Sequence, residues 1–154
     1  MCDQTPYLAA DARERQVIPH LETALTRHKY IVKQITIADY LICVEGANGP
    51  RILAAIERKS HSDFAASFKD GRYANIKKMT DLRTATGCQL YFFVEGEAFP
   101  APNKRYCGIP FSNILAAMTL MMARDGIFVV QTESTLHTAT RQIGRASCRE
   151  RVSS

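Results

Sequence analysis

Glu57 and Lys59 end an apolar run, residues 52–56, with Arg58 between them. Side chains alternate along a strand, so this acid and this amine point to one face. Eighteen residues upstream stands an isolated Asp39. If a neighbouring strand brings Asp39 beside Glu57, the site gains two oxygen ligands for a hard divalent cation and an ammonium group beside an attacking water. That is the minimal apparatus for hydrolysing a phosphodiester. The competing reading is an exposed strand end with an internal ion pair. Against it, three consecutive charges closing so apolar a strand are costly to desolvate unless they are paired or metal-bound.

Other residues are weaker on their own. Asp11, Arg13 and Glu14 fall where a first strand gives way to a helix, and acids there ordinarily satisfy free amides and the helix dipole. They gain interest only if Asp39 and Glu57 form a site at neighbouring strand ends. Ser60 and Asp63 fit a helix-capping pattern, which does not prevent Asp63 from also facing the site. His61 has the chemistry of a general base, but a histidine in a first helical turn is commonly just solvated. Arg72, Lys77 and Lys78 lie on the helix after the apolar strand. They are candidate phosphate contacts, with a solvated face as the ordinary alternative.

The elements that must position these groups follow from periodicity. Residues 7–10 read as a first strand, and Val17, Ile18, Leu21 and Leu25 as a helix of about four turns reaching His28. Residues 30–37 alternate as a strand. Strands at 39–44 and 51–58, joined by the turn-forming stretch 46–50, make a hairpin that brings Asp39 near Glu57. Helices are expected from Ser60 to near Gly71 and over 72–86, a buried strand at 90–94 and a loop over 96–111. A helix over 112–124, a buried strand at 127–130 and a closing helix at 133–142 capped by Thr132 complete the chain. The expected architecture is α/β, a central mixed sheet with helices on both faces. The 112–124 helix is apolar nearly all round: it is either buried deeply between other elements or, as its methionines suit an adaptable contact surface, part of an interface with a second subunit.

The chain has 154 residues, enough for one domain with a substantial core. No stretch reaches transmembrane length and the first residues lack a signal-peptide pattern, so an intracellular protein is expected, with no membrane partner. Its five cysteines, never closer than nineteen residues apart, exclude closely spaced zinc-ligand pairs and suit reduced thiols. A net charge of +5 leans toward polyanions. Residues 143–154 resemble a translated sequencing adapter following a truncated reading frame, and three arginines against one glutamate there supply two of those charges. The domain is accordingly read as 1–142, with 143–154 a non-native tail.

Asp39-Tyr40, then Glu57-Arg58-Lys59 with Asp63 four residues on, then Gly71-Arg72, together resemble the ERCC4-type nuclease domain of the XPF/MUS81 structure-specific endonucleases. Asp11-Ala-Arg13-Glu14 resembles that family's opening segment, and Val94-Glu95-Gly96 and residues 132–139 its later strand and closing helix. The likeness covers residues 7–142. It implies a restriction-endonuclease-like fold and an Mg²⁺- or Mn²⁺-dependent endodeoxyribonuclease acting on branched or flap DNA in repair or recombination. It implies that Asp39, Glu57 and the Arg58 carbonyl hold the metal, and that Asp11, Glu14 and Asp63 complete an acidic cluster. Lys59 would orient or stabilise the hydroxide, and Arg13, Arg58 and Arg72 would contact phosphate or stabilise charge in the transition state. The family's paired nuclease domains imply a homodimer or a heterodimer with a related subunit through the 112–124 helix. A nuclear location would follow in a eukaryote and a cytoplasmic one otherwise. Ala38 replaces the family's usual Gly before the aspartate, which leaves the acid in place. The helix-hairpin-helix module that often follows this domain is missing, absent from the lineage or removed by truncation after residue 142. Two rivals are a non-catalytic DNA-binding subunit, disfavoured because every carboxylate is retained, and a resolvase or restriction enzyme of the same fold, disfavoured by Arg58 and Asp63.

Overall fold

A computed structural model describes residues 5–24, 29–70, 72–134 and 137. Six strands form one sheet in the order β2-β1-β3-β4-β5-β8. These are β1 (Tyr7–Asp11), β2 (Tyr30–Lys33), β3 (Tyr40–Gly46), β4 (Gly49–Ser60), β5 (Gln89–Glu95) and β8 (Phe128–Thr132). Pairing is mixed: β1 with β3 and β3 with β4 are antiparallel, while β1 with β2, β4 with β5 and β5 with β8 are parallel. This is the expected mixed sheet.

Strand alternation sorts the core into two layers. Ala9, Leu41, Ala55, Phe92 and Val94 pack toward α2 (His61–Asp70), α3 (Arg72–Thr86) and α4 (Phe111–Leu120). Leu8, Ala10, Tyr40, Ile42, Ile56 and Phe93 pack toward α1 (Ile18–Ala24) on the other face. Every residue of β1 is buried, as helices on both faces require. The helix expected after β1 is present over Ile18–Ala24, and its expected extension through 25–28 lies outside the described residues. The closing helix at 133–142 lies almost entirely outside them too, as does the 143–154 tail.

Three elements depart from the expectation. The strand read over 30–37 stops at Lys33, because Ile35 donates its amide to the Asp11 carboxylate instead of continuing a ladder. Residues 34–39 thereby become a loop across the end of β1. The stretch 96–111 contains a short hairpin, β6 (Arg105–Tyr106) and β7 (Ile109–Pro110), turned by Cys107 and Gly108, both at positive φ as a two-residue turn of this kind needs. Finally, the helix after Phe111 is regular only to Leu120, and a π-helical turn, Met121–Asp125, follows before Gly126 ends it in the left-handed region.

The corner where β5 ends is tightly held. Gly96 donates its amide to the Thr132 carbonyl at 2.8 Å, and the buried His61 ring lies so close that a β-carbon on Gly96 would sit 2.5 Å from its Nδ1. His61 packs edge-on against Tyr106 at 5.0 Å and against Phe111 at 5.4 Å, and neither of its nitrogens has a partner among the described residues. It is therefore a packing residue rather than a solvated base. Gly96→Ala is expected to destabilise the fold by roughly 1–3 kcal/mol through overpacking, measured as a lowered thermal midpoint.

Candidate functional site

Asp11 closes β1, Asp39 immediately precedes β3 and Glu57 lies near the end of β4. All three fall on the α2/α3 side by strand alternation, since Ala9, Leu41 and Ala55 do. They line one cleft of about 340 Å³ together with Arg13, residues 36–38 of the crossing loop, and Asn75 and Lys78 of α3. The hairpin of β3 and β4 makes the meeting possible: Tyr40 pairs with Ile56, and Asp39 donates its amide to the Ile56 carbonyl at 3.0 Å. Asp39 Oδ2 in turn accepts the Arg58 amide at 2.8 Å. The amide and carbonyl of one residue in an antiparallel pair point the same way, so the Arg58 carbonyl also opens toward Asp39.

The electrostatics are those of crowded acids. Burial raises Glu57 to about 7, with Asp39 adding repulsion and Lys59 opposing it. Burial likewise raises Asp39 to about 6; the Arg58 amide lowers it and Glu14 raises it. Burial also pushes Asp11 upward, but the Arg13 guanidinium at 2.6 Å and the Ile35 amide hold it below its ordinary value. Lys59 Nζ stands 3.8 Å from Glu57 Oε1, as their shared strand face requires. Raised carboxyl groups remain protonated in the fold while the unfolded chain has already ionised. Asp39 and Glu57 thus destabilise the protein increasingly as pH rises from their unfolded values near 4 toward 6 and 7. Asp39→Asn keeps an oxygen acceptor for the Arg58 amide. After allowance for solvent screening it is expected to stabilise the fold, without added metal, by about 1 kcal/mol at pH 8 and to have no effect at pH 4. Thermal denaturation at the two pH values measures this.

Not every sequence candidate enters the cleft. Asp63 is exposed at the start of α2, where its amide is capped by Ser60 Oγ at 3.0 Å. Lys77 is 77% exposed and pairs with Asp81, whereas Lys78, its neighbour, lines the cleft. Arg72 opens α3, and its side chain lies outside what is described. Glu14 turns to the opposite face of the sheet, where its Oε2 accepts from the Tyr40 hydroxyl at 2.8 Å and from Arg58 at 3.2 Å. The Arg58 guanidinium shares that opposite face and makes two further bonds to Glu95, at 2.8 and 3.1 Å. Reading Arg58 as a phosphate contact overlooks its parity: flanked by Glu57 and Lys59, it must point away from them. The same rule flags Glu95, which the sequence otherwise marks only as the end of a strand.

Among the described residues, no three His, Cys, Asp or Glu side chains form a ready-made metal cage. Mg²⁺ does not require one, because it commonly takes one or two carboxylates and fills its octahedron with water and phosphate oxygens. Two mutually repelling carboxyls with raised pKa values, beside a carbonyl and a lysine, fit that donor set.

The ERCC4 domain family model matches residues 10–140. The chain is 48% identical over 147 residues to the ERCC4 domain-containing protein EP364R of an African swine fever virus isolate, covering 89% of this chain and 39% of that protein. A second strain's protein is 46% identical over 148 residues, with 89% and 40% covered. The chain thus spans about two fifths of the length of these relatives. Among solved structures, XPF from Aeropyrum pernix in complex with DNA superposes with a TM-score of 0.64 at 26% identity, over 94% of this chain and 66% of that one. A second structure of XPF from the same organism gives 0.65 at 28%, over 92% and 61%.

Proposed function

Because the chain belongs to the ERCC4 domain family, we propose that it is the catalytic domain of a metal-dependent, structure-specific DNA endonuclease. The observation that carries this reading is the convergence of Asp11, Asp39 and Glu57 on one cleft whose remaining wall supplies Arg13 and Lys78. Acids alone would repel DNA, and the cations beside them offset that repulsion. The solved DNA complex of a structural neighbour supports DNA as the ligand.

Asp39, Glu57 and the Arg58 carbonyl would hold Mg²⁺ or Mn²⁺, which when bound would polarise the scissile phosphate and lower the pKa of water. Lys59 stabilises the attacking hydroxide, and Arg13 and Lys78 fix the phosphate backbone at the mouth of the cleft. Arg72 and Lys77, on the same helix as Lys78, are further DNA contacts. Asp11 acts through Arg13 and Ile35, holding the cleft wall in place. Shape rather than base sequence selects the cut, since phosphate contacts position DNA without reading it. Repair or recombination intermediates, with flaps and branches, are substrates of this class. Cleavage of labelled flap, fork, nicked and four-way DNA alongside linear duplex, with Mg²⁺ or with chelator, tests the reading. Branch-dependent cutting only with the metal supports it, and equal cutting of linear duplex contradicts it.

The domain also pairs, as a homodimer or with a related subunit, through α4 and its surroundings. Phe111, Ile114, Met118 and Met121 are buried in the core, which leaves Leu115, Leu120 and Met122 exposed on the same segment. Beside them Phe99 is 95% exposed over an apolar groove of about 550 Å³. The outward methionine is thus Met122 alone among the three of this segment, and leucines carry most of the surface. Leu115→Glu with Leu120→Glu is expected to give a folded monomer where the unmodified domain is a dimer by light scattering. A monomeric unmodified domain at high concentration rejects the interface.

A further inference from the structure

Another charged cluster among the described residues lies across the sheet from the cleft. Arg58 Nε and Nη2 donate to the two carboxylate oxygens of Glu95, its Nη1 donates to Glu14 Oε2, and the Tyr40 hydroxyl donates to that same oxygen. The side chains are largely withdrawn from solvent, 18% exposed for Arg58, 13% for Glu14 and 14% for Glu95. A guanidinium held by two carboxylates at this depth has little freedom to reach a phosphate on the opposite face.

The members of this cluster have a regular relation to the cleft. Tyr40 directly follows Asp39, Arg58 lies between Glu57 and Lys59, and Glu14 comes three residues after Asp11. Each segment that supplies an acid to the cleft therefore supplies, within one to three positions, a member of the cluster behind it. Glu95 ends β5, the strand beside β4, and is tied to the set through Arg58. Its position is fixed from beyond the cluster, because the next residue, Gly96, is bonded to β8 and pressed against His61.

From this juxtaposition we propose that Glu95 is a positioning residue of the nuclease site: through Arg58 it locks the end of β4, and with it Glu57, Lys59 and the amide that holds Asp39. The idea rests on the nuclease reading above and deepens it. Arg58 is in this account a strut whose side chain never meets DNA, and Glu95 is its anchor. An ion network of this kind fixes direction, since a guanidinium fork donates its paired N–H bonds to a carboxylate in one plane only.

The test is a double-mutant cycle on the full chain with Arg58→Gln, Glu95→Gln and both together. Cleavage of a labelled fork DNA is measured with Mg²⁺, and binding of the same DNA is measured with Ca²⁺ over a series of salt concentrations. Each single variant is expected to lower kcat by roughly 10–100-fold, the range typical of residues that orient metal ligands. The double variant should be no slower than the worse single one. DNA affinity and its salt slope should match the unmodified chain, and Glu95→Asp should recover part of the lost rate, which a general loss of folded protein would not explain. Three results would each overturn the proposal: a salt slope reduced by about one in Arg58→Gln, as loss of a phosphate contact gives; unimpaired cleavage by Glu95→Gln; or losses that simply add in the double variant. If the unmodified chain cleaves no DNA, the nuclease reading fails by itself. The salt slopes then still decide, an unchanged slope in Arg58→Gln supporting the strut and a reduced one refuting it.

Discussion

Asp39→Asn and Glu57→Gln are each expected to reduce Mg²⁺-dependent cleavage of a branched substrate by more than ~100-fold, a larger loss than residues merely orienting a metal ligand produce. The expectation rests on crowding. Burial raises both carboxyls, Asp39 to about 6 and Glu57 to about 7, with Asp39 adding repulsion at Glu57 and Glu14 at Asp39, so both resist ionising and a divalent charge would relieve them. Neutral amides keep nearly the same shape. In Asp39→Asn the side-chain carbonyl would still accept the Arg58 amide, which now reaches Oδ2 of the aspartate at 2.8 Å, so the end of β4 should stay in register. DNA binding measured in Ca²⁺ should weaken little or even strengthen, because a negative charge near the phosphates has been removed. Gel-shift titration and single-turnover cleavage on the same preparations separate the two effects. Variants that retain more than about a tenth of the rate would exclude these carboxylates from the chemistry.

Lys59→Ala is the second large effect. The ammonium stands 3.8 Å from the Glu57 carboxylate, on the only strand face from which it can reach the cleft acids, and its side chain is 19% exposed. A cation so placed can stabilise a developing hydroxide or the charge on the phosphate, and groups assisting proton transfer or charge in this manner contribute about 10²–10⁴-fold. The loss is expected in kcat with KM little changed, because Arg13 and Lys78 remain to bind the backbone. Raising the Mg²⁺ concentration should not restore the rate, since the missing group is not a metal ligand. Full recovery at high Mg²⁺ would assign Lys59 to metal recruitment instead.

Much of this arrangement is legible from periodicity. The apolar run before Glu57, the turn-forming residues 46–50 and the alternation on either side are enough to place Asp39 beside the end of β4. The capping of α2 by Ser60 is readable from the spacing of Ser60 and Asp63. What escapes depends on contacts distant in sequence. Residues 30–37 alternate well enough for one long strand, but the Asp11 carboxylate captures the Ile35 amide 24 residues away and turns the chain aside. The hairpin at Arg105–Pro110 carries no periodic signal, being two residues on each side of a turn. Glu95 offers a local cue, its parity on β5, but its partner Arg58 is 37 positions distant, and only the parallel pairing of β4 with β5 brings them together. Arg58 itself misleads by chemical type: an arginine beside an acidic site suggests phosphate, whereas its place between Glu57 and Lys59 already sets it on the far face.

Binding of Mn²⁺ to the domain in the absence of DNA, followed by electron paramagnetic resonance, measures the central claim without passing through catalysis. The unmodified protein is expected to have a site whose affinity rises between about pH 5 and pH 8, as Asp39 and Glu57 lose their protons, and which both Asp39→Asn and Glu57→Gln abolish. Equal Mn²⁺ binding by the unmodified protein and both variants across that pH range would contradict it.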